Sequence, residues 1–348
     1  MNDVVREYTI RKSKFIATVI VLNIILFLVI FLSLALGSTG LSLTNPIGIL
    51  TKIVNNIPLT PEEEIQVSIR LPRTLSAIAV GALLGISGVL IQTITRNPLA
   101  EPFLLGLSSG ALVIVSLSVL LVPFLIYYKY LLALSAFSGA MIAFTITFII
   151  SEAVGATVTS LILAGIAVTS LFSGVSHILT FLVQVKLNRP FLLLLLGTFS
   201  TSMMSDIPLL AASLIVGFTL ALIMAKRLNA IMYGDEHSLQ LGYNPIFTRR
   251  AAALLASFMT GVSVSIAGII GFIGLVVPHM ARLIIGSDNR FVLVCAALIG
   301  AIILCLTDMV VRVFSLYGFG ELPVGAITSM FGAPFFIYLI IKRLKGRV

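Results

Sequence analysis

The stretch from Arg70 to Gly110 most constrains what this chain can fold into. Between Thr74 and Thr95 it runs for 22 residues without a formal charge. As a helix rising about 1.5 Å per residue, that run extends for about 33 Å, the thickness of a bilayer core. It ends at a proline-rich element over 97–102, which cannot continue as a regular helix. Because irregular backbone persists at membrane depth only where protein or water satisfies it, the stretch predicts a membrane helix that ends at a pathway.

The composition of the whole chain excludes a soluble fold. Of 348 residues, 59% are hydrophobic and 10% are charged, and the mean hydropathy is +1.17, whereas soluble domains carry about 25% charged residues. The formal net charge of +9 is explained by membrane topology, so no nucleic-acid partner is expected. Cys295 and Cys305 are ten residues apart in one apolar helix. That spacing is about 15 Å along the axis, too far for a disulfide.

Apolar runs along the chain predict an all-α, polytopic membrane protein with about ten transmembrane helices, in a single domain over 1–348. The predicted spans are 15–36, 71–94, 106–126, 130–151, 160–183, 207–225, 248–267, 269–285, 291–313 and 324–341. A short apolar segment over 189–197 predicts an extra half-helix on the outer side. The first span is expected to stay uncleaved, because it is longer than the apolar core of a signal peptide.

The lysines and arginines predict the orientation of these spans. With both termini in the cytoplasm, most of the 22 basic residues lie on the inner face, as the positive-inside rule requires. The segments 1–14 and 228–243 are then cytoplasmic, and the protein is expected in the plasma or inner membrane. The basic residues left on the outer face are Lys52, Arg70, Arg73, Lys129, Lys186, Arg189 and Arg312.

Two patterns within the spans have both a structural and a functional interpretation. Ala77, Gly81 and Gly85 recur four residues apart, which favours close helix packing within one subunit over the wall of a pathway. Asp308 and Arg312 are also four apart, on one helix face, and predict either an internal ion pair or a docking or pathway site.

Glu101 is a further candidate, because it lies in the broken element over 97–102 and a charge at membrane depth is costly. The most polar internal loop, 228–243, places acidic residues after Gly234 and ends near Gly242. This pattern predicts a short helix at the cytoplasmic face, which is either a solvated connector or a docking helix for a partner.

The sequence does not indicate catalysis. Its three histidines lie in separate segments, and it contains no HExxH, CxxC, GxSxG or glycine-rich P-loop motif. We therefore expect a chain that is not an enzyme, has no cofactor or metal site of its own and does not bind ATP through a P-loop.

A set of motifs carries a resemblance to a known family across most of the chain. In order they are RLPR at 70–73, RNPLAEP at 96–102, LGLSSG at 105–110, LAG at 163–165, GDE at 234–236, GFIGLVVPH at 271–279, ELPVG at 321–325 and GAPFF at 332–336. Together the chain resembles the FecCD-type permeases, the membrane subunits of ATP-driven importers for iron–siderophore, haem and cobalamin. The chain departs from that pattern in having no tryptophan, which the family often places shortly before the Leu-Gly that Leu196-Gly197 resembles.

The resemblance implies a type II ABC importer permease with ten helices per subunit. It implies a homodimer with the pathway on its two-fold axis. Its further partners are two separate ATPase subunits, which bind the ATP, and an extracytoplasmic substrate-binding protein.

The resemblance also implies three groups of functional residues. The expected ATPase-coupling residues are Gly234, Asp235, Glu236, Leu241 and Gly242. The outer arginines expected to pair with acidic residues of the binding protein are Arg70, Arg73 and Arg312. The residues expected near the inner gate are Leu99, Thr157, Thr159 and Ser160.

The expected function is thus translocation of an iron chelate, such as a ferric siderophore, across the membrane. A cobalamin or haem importer permease is the alternative within the same family. An ion-coupled secondary transporter and a non-transport membrane scaffold are alternatives of other classes.

Overall fold

The structure is a computed structural model, and it describes residues 2–37, 40–41, 46–55, 57–188, 196–317 and 320–345. These residues are almost entirely α-helical, which confirms the predicted fold class. The first half of the chain forms α1 (Asn2–Ala35), α2 (Pro46–Val54), α3 (Pro61–Ile65), α4 (Leu71–Thr95), α5 (Leu107–Leu121), α6 (Lys129–Ala153) and α7 (Val158–Leu187). The second half forms α8 (Ile207–Met232), α9 (Asp235–Gln240), α10 (Pro245–Ala267), α11 (Ile273–Ile285), α12 (Asn289–Leu316) and α13 (Val324–Lys345).

Short irregular elements join some of these helices. A two-residue antiparallel hairpin, β1 (Leu36–Gly37) and β2 (Gly40–Leu41), follows α1. One π-helical turn, Gln66–Arg70, continues α3 directly into α4. Single 3₁₀ turns occur at Pro102–Leu105, Pro123–Tyr127 and Met204–Asp206.

Each of the ten predicted spans corresponds to a helix. Within the described residues, seven helices are long and apolar enough to cross a membrane, namely α1, α4, α6, α7, α8, α10 and α12. The helices α5 and α11 and the apolar part of α13 are shorter. The half-helix predicted over 189–197 falls almost wholly outside the described residues.

Two boundaries differ from the prediction for visible backbone reasons. The third span was expected to reach 126, but α5 ends at Leu121 and the chain turns at Pro123. The eighth span was expected from 269, but α11 begins at Ile273. Both Gly268, at φ 72°, and Phe272, at φ 68°, lie in the left-handed region, where a right-handed helix cannot continue.

The helix α4 lies at the centre of the bundle, whereas α1 lies at its edge. In the most apolar window of each segment, 89% of the residues are buried for α4 and 11% for α1. A Cβ added to Gly81 would lie 2.2 Å from the carbonyl oxygen of Gly300, and one added to Gly85 would lie 2.6 Å from that of Ala296. The row of small residues therefore lets α4 and α12 touch backbone to backbone, which confirms its packing function within one subunit.

Two non-helical segments, 96–106 and 268–272, interrupt the bundle. A Cβ on Gly274 of α11 would lie 2.7 Å from the ring of Pro102, so the first segment turns back into the bundle beside the second. Glu101 joins them, because its Oε1 accepts a hydrogen bond of 2.7 Å from the backbone N–H of Phe272. The bond satisfies an amide at the start of α11 that has no partner in the helix itself.

The bundle has two ends, which we name after one residue each. At the Arg73 end, the last turn of α1, the start of α4 and the last turns of α12 meet. At the Asp235 end, the end of α8, the short helix α9 and the starts of α10 and α12 meet.

Candidate functional site

The Arg73 end contains a buried cluster of charged side chains. Arg73 donates from Nε to Asp308 Oδ1 at 2.8 Å and from Nη1 to Glu321 Oε1 at 2.8 Å. Arg312 donates to Asp308 Oδ2 from Nε at 2.8 Å and from Nη2 at 2.5 Å. A single carboxylate thus lies between two guanidinium groups. Of the two alternatives left open for Asp308 and Arg312, the structure shows the internal ion pair.

This cluster also holds the end of α1. Arg312 donates from Nη1 to the carbonyl oxygen of Ser33 at 2.7 Å, and Arg70 donates to those of Leu34 and Ala35 at 3.0 and 2.9 Å. The last carbonyl groups of a helix lack partners within it, so guanidinium donors are well placed there.

The three arginines that were predicted to lie on the outer face therefore contact the chain's own groups in this structure, and all three are buried. Their pairing with acidic residues of a binding protein stays a prediction. One observation bears on it: Nη2 of Arg73 is buried and has no hydrogen-bond partner among the described residues. A guanidinium N–H without a partner can donate a hydrogen bond to one further carboxylate.

The Asp235 end contains a second charged cluster, which is open to solvent. Gly234, at φ 126°, turns the chain out of α8, and α9 begins at Asp235 as predicted. The carboxylate of Asp235 accepts from Arg96 at the end of α4 and from Arg249 in α10. It therefore ties α9 to two membrane helices.

The two arginines also act on the protonation of this carboxylate. Partial burial acts to raise the pKa of Asp235, but the hydrogen bonds and charges of Arg249 and Arg96 outweigh it and hold that pKa below its ordinary value. The aspartate is accordingly ionised at neutral pH.

The remaining predicted coupling residues lie on the outside of the same loop. Glu236 and Leu241 are exposed, and Gly242, at φ 78°, turns the chain into α10 after α9 ends. Ser238, by contrast, is buried and its hydroxyl donates to the carbonyl oxygen of Tyr243 at 3.0 Å, which closes the loop. The loop is thus a compact element with an exposed outer surface.

The predicted gate residues occupy two places. Leu99 is exposed in the non-helical segment 96–106, and its backbone N–H donates to Asn97 Oδ1 at 3.0 Å. Thr157 caps α7 by accepting from the N–H of Ser160 at 3.0 Å, and the Ser160 hydroxyl lies 3.1 Å from that of Ser151. Thr159 is exposed. Thr157 and Ser160 thus fix the turn between α6 and α7, and Leu99 and Thr159 present free side chains.

The sequence did not identify three of the pairings in these clusters. They are the pairing of Arg73 with Asp308, that of Glu321 with Arg73, and that of Arg249 with Asp235, and each joins residues from separate parts of the chain. The only local signal was the four-residue spacing of Asp308 and Arg312. In the part of the chain that the structure describes, no group of three histidine, cysteine or acidic side chains could hold a metal ion.

Comparison with known proteins identifies the family. The model of the FecCD transport family matches residues 25–342. The hemin transport system permease protein HmuU of Yersinia pestis is 39% identical over 81% of this chain and 85% of its own length. The cobalamin import system permease protein BtuC of Halobacterium salinarum is 38% identical over 79% and 73%. The iron(3+)-hydroxamate import system permease protein FhuB of Bacillus subtilis is 34% identical over 98% and 87%.

A solved structure shares the fold. A metal-chelate-type ABC transporter in an inward-facing conformation superposes with a TM-score of 0.81 at 27% identity, covering 93% of this chain and 98% of that one. The helical bundle, the ordered motifs and the matches over nearly the whole length agree, and the chain is a multi-pass membrane protein that belongs to the FecCD transport family.

Proposed function

We propose that this chain is the permease subunit of an ATP-binding-cassette importer that carries an iron chelate, such as a ferric siderophore, into the cell. The family and the permease relatives support import of a metal–organic complex. Those relatives carry hemin, iron hydroxamate and cobalamin, so haem and cobalamin are the alternative cargoes. The energy would come from two separate ATPase subunits, and this chain would contribute the gated passage.

The observation that carries this proposal is an exposed surface around α9, which we call the coupling surface. It combines the Asp235 cluster with the exposed side chains of Tyr233, Glu236, Leu239 and Leu241. Tyr233 is 80% exposed and Leu239 58% exposed, although both lie in a loop beyond the membrane helices. Apolar and aromatic side chains rimmed by charges, outside the lipid, are typical of a protein-binding surface.

Docking of the ATPases on the coupling surface would make the Asp235 end cytoplasmic. The N-terminal segment belongs to that end, because the ring of Phe15 in α1 stacks on that of Phe291 in α12 at 4.5 Å. The helix α13 starts beside the Arg73 end, where the N–H of Val324 donates to the carbonyl oxygen of Gly197 at 2.7 Å. Both termini are then cytoplasmic, in agreement with the positive-inside rule.

The Arg73 end would face the binding protein. Electrostatic complementarity between arginines and carboxylates orients a partner more than it raises affinity.

A homodimer would place two copies of the Arg73 end side by side, as the resemblance implies. The passage would lie between the copies, with Leu99 and Thr159 near its inner gate. Leu99→Trp would narrow the passage. Full uptake by that variant would show that Leu99 does not lie at the gate.

The experiment is reconstitution of the chain in proteoliposomes with and without its ATPase and binding protein. ATP-dependent uptake of a ferric chelate that requires both partners supports the proposal. Uptake by this chain alone under an ion gradient would instead indicate a secondary transporter and overturn it.

A variant pair tests the coupling surface directly. Asp235→Ala with Glu236→Ala should leave membrane insertion intact and weaken co-purification of the ATPase. The matched control is Glu62→Ala with Glu64→Ala, which removes two exposed carboxylates near the Arg73 end. If the Asp235 and Glu236 variant still co-purifies and couples like the wild type, α9 is not the docking element.

A further inference from the structure

Two neighbouring arginines near the start of α10 pair with carboxylates on different elements. Arg249 donates to Asp235 in the short helix α9. Arg250 donates to Glu152, in the last turn of α6, from Nε to Oε1 at 3.1 Å and from Nη2 to Oε2. The second pair is bidentate, so it fixes the orientation of both side chains as well as the distance between them. The start of α10 therefore connects α9 to the end of α6.

The end of α6 holds the turn that leads to the predicted gate residues of α7. The N–H of Gly155 donates to the carbonyl oxygen of Glu152 at 3.2 Å. The N–H of Ala156 donates to the carbonyl oxygen of Ser151 at 2.9 Å. The hydroxyl of Ser160, in the first turn of α7, lies 3.1 Å from that of Ser151. The α6–α7 turn is thus tied to the last turn of α6, and a displacement of Glu152 moves it as well.

The backbone of this turn is strained. Gly155, at φ 102°, and Ala156, at φ 55°, both lie in the left-handed region. That region is open to glycine but unfavourable for alanine, because the Cβ atom crowds the backbone. A strained residue of this kind persists only where the contacts around it enforce its conformation. The turn is therefore a segment that can change its arrangement when those contacts move.

The contact between α6 and α10 differs along its length. The rings of Phe137 and Phe258 meet edge to face, with 6.1 Å between their centroids. Glu152 meets Arg250 a further 15 residues along α6, which is about 22 Å at the helical rise. Beside that pair, a cavity of about 20 Å³ lies between α10 and the turn, with Ala156 in its lining. The end of α6 can therefore tilt about the ring contact, and the ion pair sets its position against α10.

Asp235 is also connected to the other predicted gate segment by a separate route. Arg96 donates to Asp235 and to the carbonyl oxygen of Ile231 at 2.7 Å, so it is held by both α9 and α8. Arg96 begins the non-helical segment 96–106, in which Leu99 lies three residues further on. One carboxylate in α9 is thus connected to both places where gate residues are predicted.

We propose that Arg250 and Glu152 are positioning residues that transmit a displacement of α9 through α10 to the α6–α7 turn, and so couple ATP hydrolysis by the partner to movement of the gate at Thr159. This inference rests on the proposed function. An ATPase on the coupling surface displaces Asp235, and Arg249 passes the displacement to α10. Arg250 follows Arg249 on the same helix and moves with it, and its bidentate pair moves Glu152.

The exposure of this pair suits coupling more than it suits stabilisation of the fold. The side chain of Arg250 is 51% exposed and that of Glu152 is 27% exposed, and pairs in such surroundings contribute little to stability. Coupling between two sites requires an element whose equilibrium both sites bias. A solvated pair beside a strained turn meets this requirement, because it can shift without unfolding the bundle. Its loss should therefore change coupling and leave the fold intact.

The first measurement compares uptake with ATP hydrolysis in the same proteoliposomes, which contain the chain, its ATPase and its binding protein. Arg250→Glu brings two carboxylates together, and Glu152→Arg brings two guanidinium groups together. Each single variant should keep ATPase co-purification and hydrolysis, and should lower uptake of a ferric chelate per ATP by about fivefold, the factor that corresponds to the ~1 kcal/mol of an exposed pair. The double variant restores the pair in reverse and should recover most of that ratio.

The matched control is Lys226→Glu, which makes the same change of charge at an exposed position of α8 towards the Asp235 end. It should keep the wild-type ratio of uptake to hydrolysis. A wild-type ratio in both single variants, or a double variant no better than they are, would overturn the inference. Equal losses of hydrolysis and uptake would also overturn it, because they would assign the pair to the fold or to ATPase docking.

The second measurement follows movement instead of transport. A spin label is attached through Thr159→Cys or, in a separate sample, through Leu99→Cys. Cys295 and Cys305 are buried, which confines labelling to the introduced thiol. The spectrum is recorded for the complex with its ATPase, with and without a non-hydrolysable ATP analogue.

Both labels should respond to the nucleotide in the otherwise wild-type chain. Adding Arg250→Glu should remove the response at Thr159 and keep that at Leu99, because Arg96 provides a separate route to Leu99. No response at Thr159 in the otherwise wild-type chain, a response there that Arg250→Glu leaves unchanged, or loss at both positions would overturn the inference.

Failure of the proposed function would show in the wild-type complex, whereas failure of this inference alone shows in the variants and labels. If the wild-type complex hydrolyses ATP but takes up no ferric chelate, the proposed cargo is wrong, and the spin labels still decide the inference. If no ATPase binds the chain, the proposed function fails and the inference fails with it.

Discussion

The two charged clusters of this bundle use the same side chains, arginine with a carboxylate, in opposite surroundings. At the Arg73 end, the side chains of Arg312 and Asp308 are 2% and 0% exposed. At the Asp235 end, those of Arg96 and Asp235 are 36% and 43% exposed. A buried ion pair that loses one partner leaves an uncompensated charge, whereas an exposed pair can exchange its partner for water at little cost. We infer that the first cluster fixes the fold and that the second can rearrange when a partner binds.

The largest effect is expected for Asp308→Asn. The change leaves Arg73 and Arg312 without the carboxylate that lies between them, and breaking a buried pair costs about 3–5 kcal/mol. Unfolding of the purified protein in nanodiscs should show this loss in the free energy of unfolding. Asp235→Asn is the matched control at the other end. A loss for Asp308→Asn below about 1 kcal/mol, the scale of exposed pairs, would remove the contrast between the clusters.

A smaller effect is expected for Glu321→Gln, which lies at the border between the two environments. The carboxylate of Glu321 is 34% exposed and accepts from Nη1 of Arg73, so its loss should lower the free energy of unfolding by about 1 kcal/mol. Glu321→Gln also removes a carboxylate of this chain that would compete with a carboxylate of the binding protein for Arg73. If Arg73 pairs with the binding protein, stimulation of ATP hydrolysis by that protein should rise.

The control for Glu321→Gln is Glu64→Gln, an exposed carboxylate in α3 near the same end. It should leave stimulation at the wild-type value. Unchanged or reduced stimulation in Glu321→Gln would mean that Arg73 acts only within this chain.

The two clusters also differ in how far the sequence could predict them. Asp308 and Arg312 lie on one helix, so their spacing placed them on one face and made an ion pair one of two alternatives. Arg73 is 235 residues from Asp308, and only the packing of α4 on α12 brings them together. Asp235 was placed on a short helix by the glycine before it, but its partners Arg96 and Arg249 come from separate helices. Local periodicity carries no information about such contacts.

The two non-helical segments show the same limit. The prolines at 98 and 102 predicted the first break, because they remove backbone donors and fix φ. The sequence analysis predicted a boundary at 268 but assigned 269–272 to the eighth span, because those residues are apolar, are continuous with α11 and contain no proline. Its cause is positive φ at Gly268 and Phe272, and the bond from Phe272 to Glu101 supports it from 171 residues away.

For Asp235→Asn we expect a loss of at most about 1 kcal/mol in the free energy of unfolding, because the pair is exposed. The loss should shrink as salt rises, since charges in solvent are screened over about 8 Å at physiological ionic strength. The loss for Asp308→Asn should not respond to salt in the same range. Equal salt responses would mean that both clusters share one environment.

The smallest effect is the pH dependence of the Asp235 cluster. Arg249 and Arg96 lower the pKa of Asp235 from its ordinary value of 3.8. A carboxylate with a lowered pKa in the folded state stabilises that state at pH values above 3.8, and this contribution is lost as the pH falls through the folded-state pKa. The difference in free energy of unfolding between wild type and Asp235→Asn should therefore be constant from pH 7 to about pH 5, begin to fall as the pH approaches 3.8, and be lost as the pH falls further through the lowered pKa of the folded state. A difference that disappeared between pH 7 and 5 would mean that Asp235 does not hold a lowered pKa, and the open cluster would then owe its geometry to the glycine turn at Gly234 instead of to its arginines.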